Sequence, residues 1–358
     1  MPRLRFAVCA LPVIFGIVPA LAARAQPSTA FPFAAPSFAN PTASSLLCIN
    51  GECQPVISTT TYFGRPAYRL TNGKDEAVIV PALGRVMRYG KVGGPNLLWN
   101  SPTFSGLDWG WKNYGGDKTW LAPQSYWGVM SDKGWPPDSA IDGAPHEAEV
   151  VTGGKLKMVS GTSKTSGIRV ERIMGFNDAG EFEIQQSAIK TAGSPLRVGL
   201  WSVSQSVPAQ AVFVPTSPDS PYANGFFRFE TKGKKQSAVV EDGLLRLEPK
   251  SEGEGQKFGI DSPVAAIASV SDGVAWVQKS AKPDGQYPDG VEKHGFPVEV
   301  YINGTPKAYY VELEMLGPLV NMVKGQKMTH TVRWSLHDLP SRDLNDTATK
   351  SAIAALLQ

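Results

Sequence analysis

The sequence predicts an all-β fold built from one unusually large pair of antiparallel sheets, with a short helix or tail at the C-terminus. Apolar or alternating runs of about five to eleven residues recur from residue 67 to residue 337, separated by Gly, Pro, Asn or Asp. Only the run from Asn345 to Leu356 has a helical composition, and it is short and rich in Ala. No internal repeat or linker interrupts the chain after residue 46, and its length exceeds the roughly 200 to 250 residues of an ordinary sandwich. We therefore expect one β-sandwich domain over residues 46–340 and a tail or helix over 341–358.

The N-terminus is typical of a secretory signal peptide. Arg3 and Arg5 precede an apolar run from Phe6 to Ala22, and Ala23-Arg24-Ala25 fits the small-x-small rule for cleavage. The run contains prolines and is followed by no stop-transfer pattern, so a removed signal over residues 1–25 explains it better than a membrane helix. We expect a periplasmic or secreted protein whose mature chain has no membrane span.

A leader is expected between the signal and the folded domain. Pro, Ala, Ser and Thr dominate residues 26–45, where three Phe residues are the only bulky ones. A segment of this composition has too little apolar surface to form a core. We expect disorder over 26–45 and folded structure from about Leu46.

The charge of the mature chain argues against nucleic-acid binding. Removing the signal takes away Arg3, Arg5 and Arg24 and no acid, so the formal charge of +3 becomes 3 − 3 = 0. A near-neutral chain without a large cluster of Lys and Arg lacks the electrostatic surface that nucleic acids or anionic membranes need.

Two cysteines remain after processing. Cys48 and Cys53 bracket the pair Asn50-Gly51, which favours a tight hairpin turn. In an oxidising compartment this spacing favours a disulfide, because two thiols without neighbouring His residues make a poor zinc site. A redox-active role is the less favoured alternative.

Two late runs show which faces are buried. In AYYVELEML, strict alternation places Tyr310, Glu312 and Glu314 on one face and the apolar residues Tyr309, Val311, Leu313 and Met315 on the other. THTVRWSLH alternates in the same way. If the two runs form a hairpin across residues 317–327, Arg333 comes close to the two carboxylates.

A Trp-rich segment is the main candidate for a functional loop. Six of the nine tryptophans lie between residues 99 and 135, and residues 100–145 show no sustained periodicity. Loops this long inside a compact domain tend to be functional or disordered, and so many indoles argue against disorder.

The composition of this segment suits a sugar ligand. Trp offers a flat apolar face to the CH groups of a pyranose, and amide, carboxylate and ammonium groups match its hydroxyls. The candidate binding residues are Trp111, Asn113, Asp117, Lys118, Trp120 and Gln124. Gly115-Gly116 would let the backbone bend sharply and approach a ligand. The alternatives are that the indoles cover one end of the sandwich and that Asp117-Lys118 is an exposed ion pair of little energetic value.

Several stretches together are similar to a known bacterial family. They are VPALGRVMRYGKVGGPNLLWN, GWKNYGGDKTWLAPQ, GIRVERIMG, LWSVSQ, YPDG, VEVYINGTPKAYYVELEMLGP and HTVRWSL, and they run from about Tyr68 to Leu336. The chain resembles the domain of unknown function 4380 family, in the galactose mutarotase-like (aldose epimerase-like) superfamily. The resemblance implies a two-sheet β-supersandwich whose concave sheet faces a carbohydrate.

The resemblance also implies a chemistry. Sugar mutarotases of this fold use a Glu on a late strand as general base and a His as general acid, and Glu312 or Glu314 lies in an equivalent-looking setting. Two carboxylates on one strand face also raise each other's pKa, which suits proton transfer. The alternative is that both pair with Arg333 on a polar sheet face.

The general acid of a mutarotase has no obvious counterpart. LWSVSQ, where the resemblance would place a His, contains none, and the chain's four His residues are scattered singly. Lys118 and Asp117 are the remaining candidates.

The leading hypothesis is therefore an extracytoplasmic carbohydrate-binding protein, with sugar epimerase or mutarotase activity if it is an enzyme. The alternative is a non-catalytic carbohydrate-binding module or an envelope scaffold that contacts protein partners.

No cofactor or metal is predicted. No phosphate loop or cluster of metal ligands is visible in the sequence. The Asp-Gly turns at Asp272, Asp284 and Asp289 are explained by ordinary turn chemistry, and calcium binding there is the less favoured alternative.

The predicted processing can be tested directly. We expect the protein isolated from an exporting host to begin at Gln26, because cleavage after Ala25 satisfies the small-x-small rule. N-terminal sequencing and intact-mass spectrometry measure this. A chain that retains Met1 after export would contradict the prediction.

Overall fold

Two large antiparallel sheets form the body of the chain, as the alternating pattern predicts. The computed structural model describes residues 48–49, 52–53, 55–101, 112–132, 134–135, 137–229, 234–253, 255–290 and 294–358. The predicted signal and the predicted leader lie outside the described residues and stay predictions.

The strands, in chain order over these residues, are β1 (Cys48–Ile49), β2 (Glu52–Cys53), β3 (Val56–Tyr62), β4 (Arg65–Thr71), β5 (Asp75–Val80), β6 (Arg85–Lys91), β7 (Asp117–Ala122), β8 (Glu147–Val151), β9 (Lys155–Val159), β10 (Ile168–Phe176), β11 (Phe182–Lys190), β12 (Leu196–Ser206), β13 (Ala211–Pro215), β14 (Phe226–Arg228), β15 (Ser237–Glu241), β16 (Leu244–Glu248), β17 (Gln256–Ile260), β18 (Ala266–Ser271), β19 (Val274–Ser280), β20 (Val298–Asn303), β21 (Tyr310–Leu316), β22 (Val320–Met322) and β23 (Lys327–Asp338). The α-helices are α1 (Trp127–Met130), α2 (Ser139–Asp142) and α3 (Thr347–Leu356). Short 3₁₀ helices cover Pro81–Leu83, Gln124–Tyr126, Ala223–Gly225 and Pro306–Ala308.

The strands divide into two sheets, which we call sheet I and sheet II. Sheet I has the order β14-β17-β20-β21-β12-β7-β6-β5-β4-β3, with β22 also paired to β12. Sheet II has the order β15-β16-β13-β18-β19-β23-β11-β10-β9-β8. Every strand pair in the described residues is antiparallel, so the expected two-sheet architecture is confirmed.

The main hydrophobic core draws side chains from both sheets. Sheet I contributes Val311, Leu313 and Met315, the apolar face that alternation predicts for β21. Sheet II contributes Trp276 and Trp334, whose rings meet edge to face at 5.1 Å. Aromatic pairs of this kind add about 0.5–1.5 kcal/mol beyond the area they bury.

The predicted hairpin between the last two long runs is wrong. β21 pairs with β12 and β20 in sheet I, whereas β23 pairs with β11 and β19 in sheet II. The chain crosses from one sheet to the other after β22, so the two apolar faces meet across the core and not side by side. Arg333 consequently lies on sheet II, where its Nε is 3.0 Å from Glu183 Oε2, and is not a partner of Glu312 or Glu314.

The C-terminal helix is present, two residues shorter at its start than the sequence indicates. Asp346 caps α3, since its carboxylate accepts the Thr349 amide hydrogen at 2.9 Å. Ile353 and Leu357 are buried with Phe213 and Ala268, so the helix covers part of sheet II on the side away from the main core. No helix in the described ranges is long and apolar enough to cross a membrane.

The two cysteines lie on opposite strands of a separate two-stranded sheet. β1 and β2 pair antiparallel with Cys48 directly opposite Cys53. This backbone register is the one a hairpin disulfide requires. The disulfide itself stays a prediction.

A buried ion pair joins the two sheets. Asp117 on β7 and Arg172 on β10 are 0% and 1% exposed, and the Arg172 Nη2 group contacts Asp117 Oδ1. Ser204 Oγ donates to the other carboxylate oxygen at 2.8 Å. The alternative of an exposed Asp117-Lys118 pair is therefore wrong, because consecutive strand residues face opposite sides and both side chains are buried.

Breaking this ion pair should destabilise the fold. We expect Arg172→Met to lower the free energy of unfolding by about 3–5 kcal/mol, because it leaves the Asp117 charge buried without its partner. Urea denaturation measures the change. Arg333→Met is the matched control, with an expected cost of about 0–1 kcal/mol because the Arg333 side chain is 43% exposed. Equal losses in the two variants would contradict a special role for the buried pair.

Candidate functional site

The outer face of sheet I, which points away from sheet II, carries an acidic and aromatic pocket of about 310 Å³. Five neighbouring strands supply most of its wall: β7, β12, β17, β20 and β21. The lining residues are Asn113, Trp120, Gln124, Trp135, Trp201, Gln205, Lys257, Tyr301, Tyr310, Glu312 and Glu314. The size lies at the lower end of the range usual for small-molecule sites.

Strand register places the polar residues in rows across the sheet. Glu312 on β21 lies between Gln205 on β12 and Tyr301 on β20. Glu314 lies opposite Glu299 on β20 in the next row. Residues opposite each other in antiparallel strands share a face of the sheet, so this register brings the polar side chains of both rows together on one surface.

Glu312 is a buried carboxylate with limited access to the pocket. Gln205 Nε2 donates to Glu312 Oε1 at 2.8 Å, and Lys118 Nζ lies 3.7 Å from the same oxygen. The residue is 8% exposed. Burial raises the pKa of Glu312, and the nearby Lys118 charge only partly offsets this.

Lys118 is the second titratable group at this position. Its Nζ lies 4.7 Å from the centre of the Trp120 ring and makes no hydrogen bond in the described part of the chain. Burial lowers the pKa of Lys118 to about 8, although the Glu312 carboxylate acts in the opposite direction. Lys118 is therefore close to titrating at physiological pH.

Glu314 makes a shorter contact with its lysine than Glu312 does, and it also accepts a hydrogen bond from an indole. Trp201 Nε1 donates to Glu314 Oε2 at 2.8 Å, and Lys257 Nζ lies 3.2 Å from the same oxygen. Lys257 also pairs with Glu299 at 2.5 Å. Burial disfavours the charged form of Lys257, but the carboxylates of Glu299 and Glu314 outweigh it and raise the pKa of this lysine. Glu314 Oε1 is buried without a hydrogen-bond partner among the described residues.

The indoles divide between the pocket wall and the packing behind it. Trp120 meets Trp127 and Trp201 edge to face, each at 5.3 Å, and Trp127 stacks with Trp135 at 5.5 Å. Trp127 is 4% exposed and is absent from the pocket lining, whereas Trp135 lines the pocket and is 56% exposed. Trp127 is thus packed against other indoles, as the structural alternative expects, whereas Trp120 and Trp135 line the pocket, and their sugar-binding role stays a prediction.

The Gly115-Gly116 pair does not approach the pocket as expected. Both residues have positive φ angles, +89° and +72°. A Cβ at Gly115 would lie 2.1 Å from the Trp99 carbonyl oxygen, and one at Gly116 would lie 2.4 Å from the Val86 carbonyl oxygen. The glycines therefore allow close contact with the chain's own backbone.

The structure brings together most, but not all, of the residues predicted for the site. Glu312, Glu314, Asn113, Trp120 and Gln124 line the pocket, and Lys118 lies beside Glu312. Asp117 points between the sheets and Arg333 lies on sheet II, so neither belongs to it. Trp111 lies outside the described residues.

Sequence reasoning missed several lining residues: Trp135, Trp201, Gln205, Lys257, Tyr301 and Tyr310 were not selected as ligand contacts. Alternation in β20 offered a signal, since Tyr301 and buried Glu299 alternate with the core residues Val298 and Val300.

No His lines the pocket within the described ranges. Burial lowers the pKa of both His146 and His330 to about 4, so these two are neutral packed residues. His294 contacts Asp261, and His337 contacts Ser335, away from the pocket. Among the described side chains, no group of three His, Cys, Asp or Glu is arranged to hold a metal ion.

Removing the Lys118 charge should change the titration of Glu312. We expect Lys118→Met to raise the pKa of Glu312 further, because burial remains while the compensating charge disappears. Carboxyl ¹³C shifts recorded against pH measure the pKa. Lys327→Met, beside Glu171 on sheet II, is the control and should leave Glu312 unchanged. An unchanged or lower Glu312 pKa in Lys118→Met would show that the two groups are not coupled.

Comparison with solved structures identifies the fold. The Slr1438 protein from Synechocystis is 10% identical, with a TM-score of 0.53 over 80% of this chain and 96% of that one. A galactose mutarotase-like protein from Lactobacillus casei is 10% identical, with a TM-score of 0.51 over 78% of this chain and 100% of that one. A TPR-domain containing protein from Parabacteroides distasonis is 13% identical, with a TM-score of 0.47 over 79% of this chain, which spans only 49% of that protein.

Comparison of sequences identifies the family. No curated protein matches the chain. Residues 91–337 match the family described as Domain of unknown function (DUF4380). This match covers more than half of the chain, includes every pocket-lining residue, and agrees with the resemblance seen in the sequence. The protein is therefore a member of the DUF4380 family, built on a galactose mutarotase-like β-sandwich.

Proposed function

We propose that the protein binds a sugar in the pocket that contains Glu312, and that it does so outside the cytoplasm. The observation that carries the proposal is the combination of aromatic walls with buried acceptors for which the described residues supply no donor. Glu314 Oε1 and Gln205 Oε1 are both buried and make no hydrogen bond among the described residues, although both residues line the pocket. Buried polar atoms are nearly always satisfied, so these oxygens favour a ligand or water that donates to them.

A sugar satisfies the aromatic and the polar parts of the pocket together. Its hydroxyl groups can donate to Glu314 and Gln205, and its CH groups can pack on the indole and phenol rings of the wall. The predicted signal peptide over residues 1–25 supports an extracytoplasmic location.

We further propose that Glu312 is the general base of an anomeric isomerisation. Glu312 has the raised pKa and the partial access that a base needs, whereas Glu314 Oε2 is already occupied by Trp201 and Lys257. In this reaction Glu312 takes the proton of the anomeric hydroxyl while the ring oxygen receives a proton. The bond between the anomeric carbon and the ring oxygen breaks, and the open chain recloses on either face.

Lys118 is the best candidate for the proton that the ring oxygen receives. Its pKa of about 8 leaves it protonated at neutral pH yet able to release the proton. Its Nζ is fully buried beside Glu312, so a bound water or a rotation of the side chain must link it to the sugar.

Non-catalytic sugar binding is the second candidate. Two observations favour it: the described pocket lining contains no His, and the Lys118 Nζ has no exposed surface. The two candidates share the same pocket and differ only in proton transfer.

Catalysis can be separated from binding with one substitution. Freshly dissolved single-anomer sugars are followed by NMR, which measures the rate at which one anomer converts to the other. The rate is compared for the wild type, Glu312→Gln and Glu171→Gln. We expect Glu312→Gln to reduce the catalysed rate of anomer interconversion by about 100-fold or more. The substitution removes the base but keeps a side-chain oxygen that accepts the hydrogen bond from Gln205 Nε2. Glu171 lies on sheet II beside Lys327, so Glu171→Gln should behave as the wild type.

Binding is measured on the same variants by the change in tryptophan fluorescence, since Trp120 and Trp201 line the pocket. If the wild type binds sugars but accelerates the interconversion of anomers for none of them, the binding function stands and the isomerase function is wrong. A wild type that binds no sugar in a broad panel would show that the proposed function is wrong.

A further inference from the structure

We propose that the sugar carries a free amino group, and that its ammonium lies between Glu312 and Glu314 in the pocket. This inference rests on the proposed sugar-binding function and names the class of sugar: an amino sugar that is not N-acetylated, either free or at the end of a chain.

The buried pocket-lining atoms that make no hydrogen bond among the described residues are acceptors, and the one such donor nearby, Lys118 Nζ, is not part of the lining. Gln205 is oriented by its Nε2, which donates to Glu312 Oε1 at 2.8 Å, the arrangement that an ionised carboxylate requires. Its Oε1 consequently has no donor among the residues that the structure describes, and neither has Glu314 Oε1. Gln205 is 2% and Glu314 1% exposed, so ordinary solvation does not satisfy these atoms. An ammonium supplies three donors and needs no donor in return.

The charges around the pocket also favour a cation. The charged groups are Lys118, Lys257, Glu299, Glu312 and Glu314 on the strands, Asp289, which lies close enough to act on Lys257, and the Arg85-Asp142 ion pair, which acts on Lys118 and adds one charge of each sign. Acids therefore outnumber lysines. Both lysines already face a carboxylate, at 3.7 Å for Lys118 and at 2.5 Å and 3.2 Å for Lys257.

The titration of the acids agrees with a shortage of positive charge. Burial raises the pKa of Glu312 and raises that of Glu299 well above its ordinary value, in spite of the neighbouring lysines. A ligand cation would stabilise their ionised forms, whereas a uronate or a sugar phosphate would bring further negative charge to them.

The aromatic wall suits a cation as well. Lys257 Nζ lies 4.4 Å from the centre of the Trp201 ring, and Lys118 Nζ lies 4.7 Å from that of Trp120. Both rings thus already contact ammonium groups. Tyr301 and Tyr310 complete the wall next to Glu312. The wall thus consists of aromatic rings, whose faces attract positive charge.

The test compares matched sugars that differ only at one substituent. Isothermal titration measures the affinity of the purified protein for glucosamine, N-acetylglucosamine, glucose and glucuronate, and for the corresponding galactose series, at one ionic strength. We expect one of the two free amino sugars to bind at least about tenfold more tightly than its acetylated and neutral counterparts. Binding of the uronates should be weaker still.

Variants test whether the preference for amino sugars depends on Glu314 and Glu312. In Glu314→Gln, which keeps the size of the side chain, the ratio of amino-sugar to neutral-sugar affinity should fall towards one, and in Glu171→Gln it should stay at the wild-type value. Circular dichroism and thermal melting confirm that each variant is folded, and Glu312→Gln gives a second measurement of the ratio. Unchanged ratios in both pocket variants would overturn the inference.

The outcomes separate this inference from the proposed function. If neutral, acetylated or acidic sugars bind as tightly as amino sugars, the class assigned here is wrong and sugar binding stands. If no sugar binds at all, the proposed function fails and the inference fails with it.

Discussion

The arrangement of the site depends on the buried contact between Asp117 and Arg172. This ion pair lies between the sheets, with Ser204 as a third partner, and both charges are removed from water. A buried charge without its partner is costly, so the contact fixes which face of β7 points inward. A slip of one residue would place Lys118 between the sheets and Asp117 in the pocket. The position of Lys118 beside Glu312, and of Trp120 in the wall, follows from this register.

Part of the fold and of the site could be predicted because it depends on local periodicity. The face that Glu312 and Glu314 occupy follows from alternation within β21 alone, and the two-sheet fold follows from many runs of that kind. The position of Arg333 depends on which strands β23 pairs with. These partners are distant in sequence, and the alternation within β23 does not predict them. Lys257 was missed for the same reason. Its strand is five residues long, and the side chain reaches carboxylates on β20 and β21.

The Trp-rich segment shows why residue type alone could not separate wall from core. Trp120 donates through its indole to Asp142 at 2.7 Å, and Asp142 also pairs with Arg85 at 2.7 Å. Trp127 donates to the Leu121 carbonyl oxygen at 2.8 Å. Each ring is held by a hydrogen bond at its polar edge and by edge-to-face contact with neighbouring rings. Rings held in this way lose little freedom when a ligand arrives, which favours a preformed binding surface.

The two lysines beside the acids differ in kind, and this difference is the reason why the proposed base is Glu312 and not Glu314. For Lys257 the neighbouring carboxylates outweigh burial, so the ammonium is a permanent charge that also occupies Glu314. For Lys118 and Glu312 burial outweighs their mutual attraction at 3.7 Å, so the pKa of the lysine falls and that of the acid rises. Shifts in these directions bring the two pKa values closer together, and proton exchange between such groups costs less than between a fully separated acid and base. A sugar bound as proposed would therefore contact a carboxylate whose pKa, and that of its lysine neighbour, are shifted towards each other.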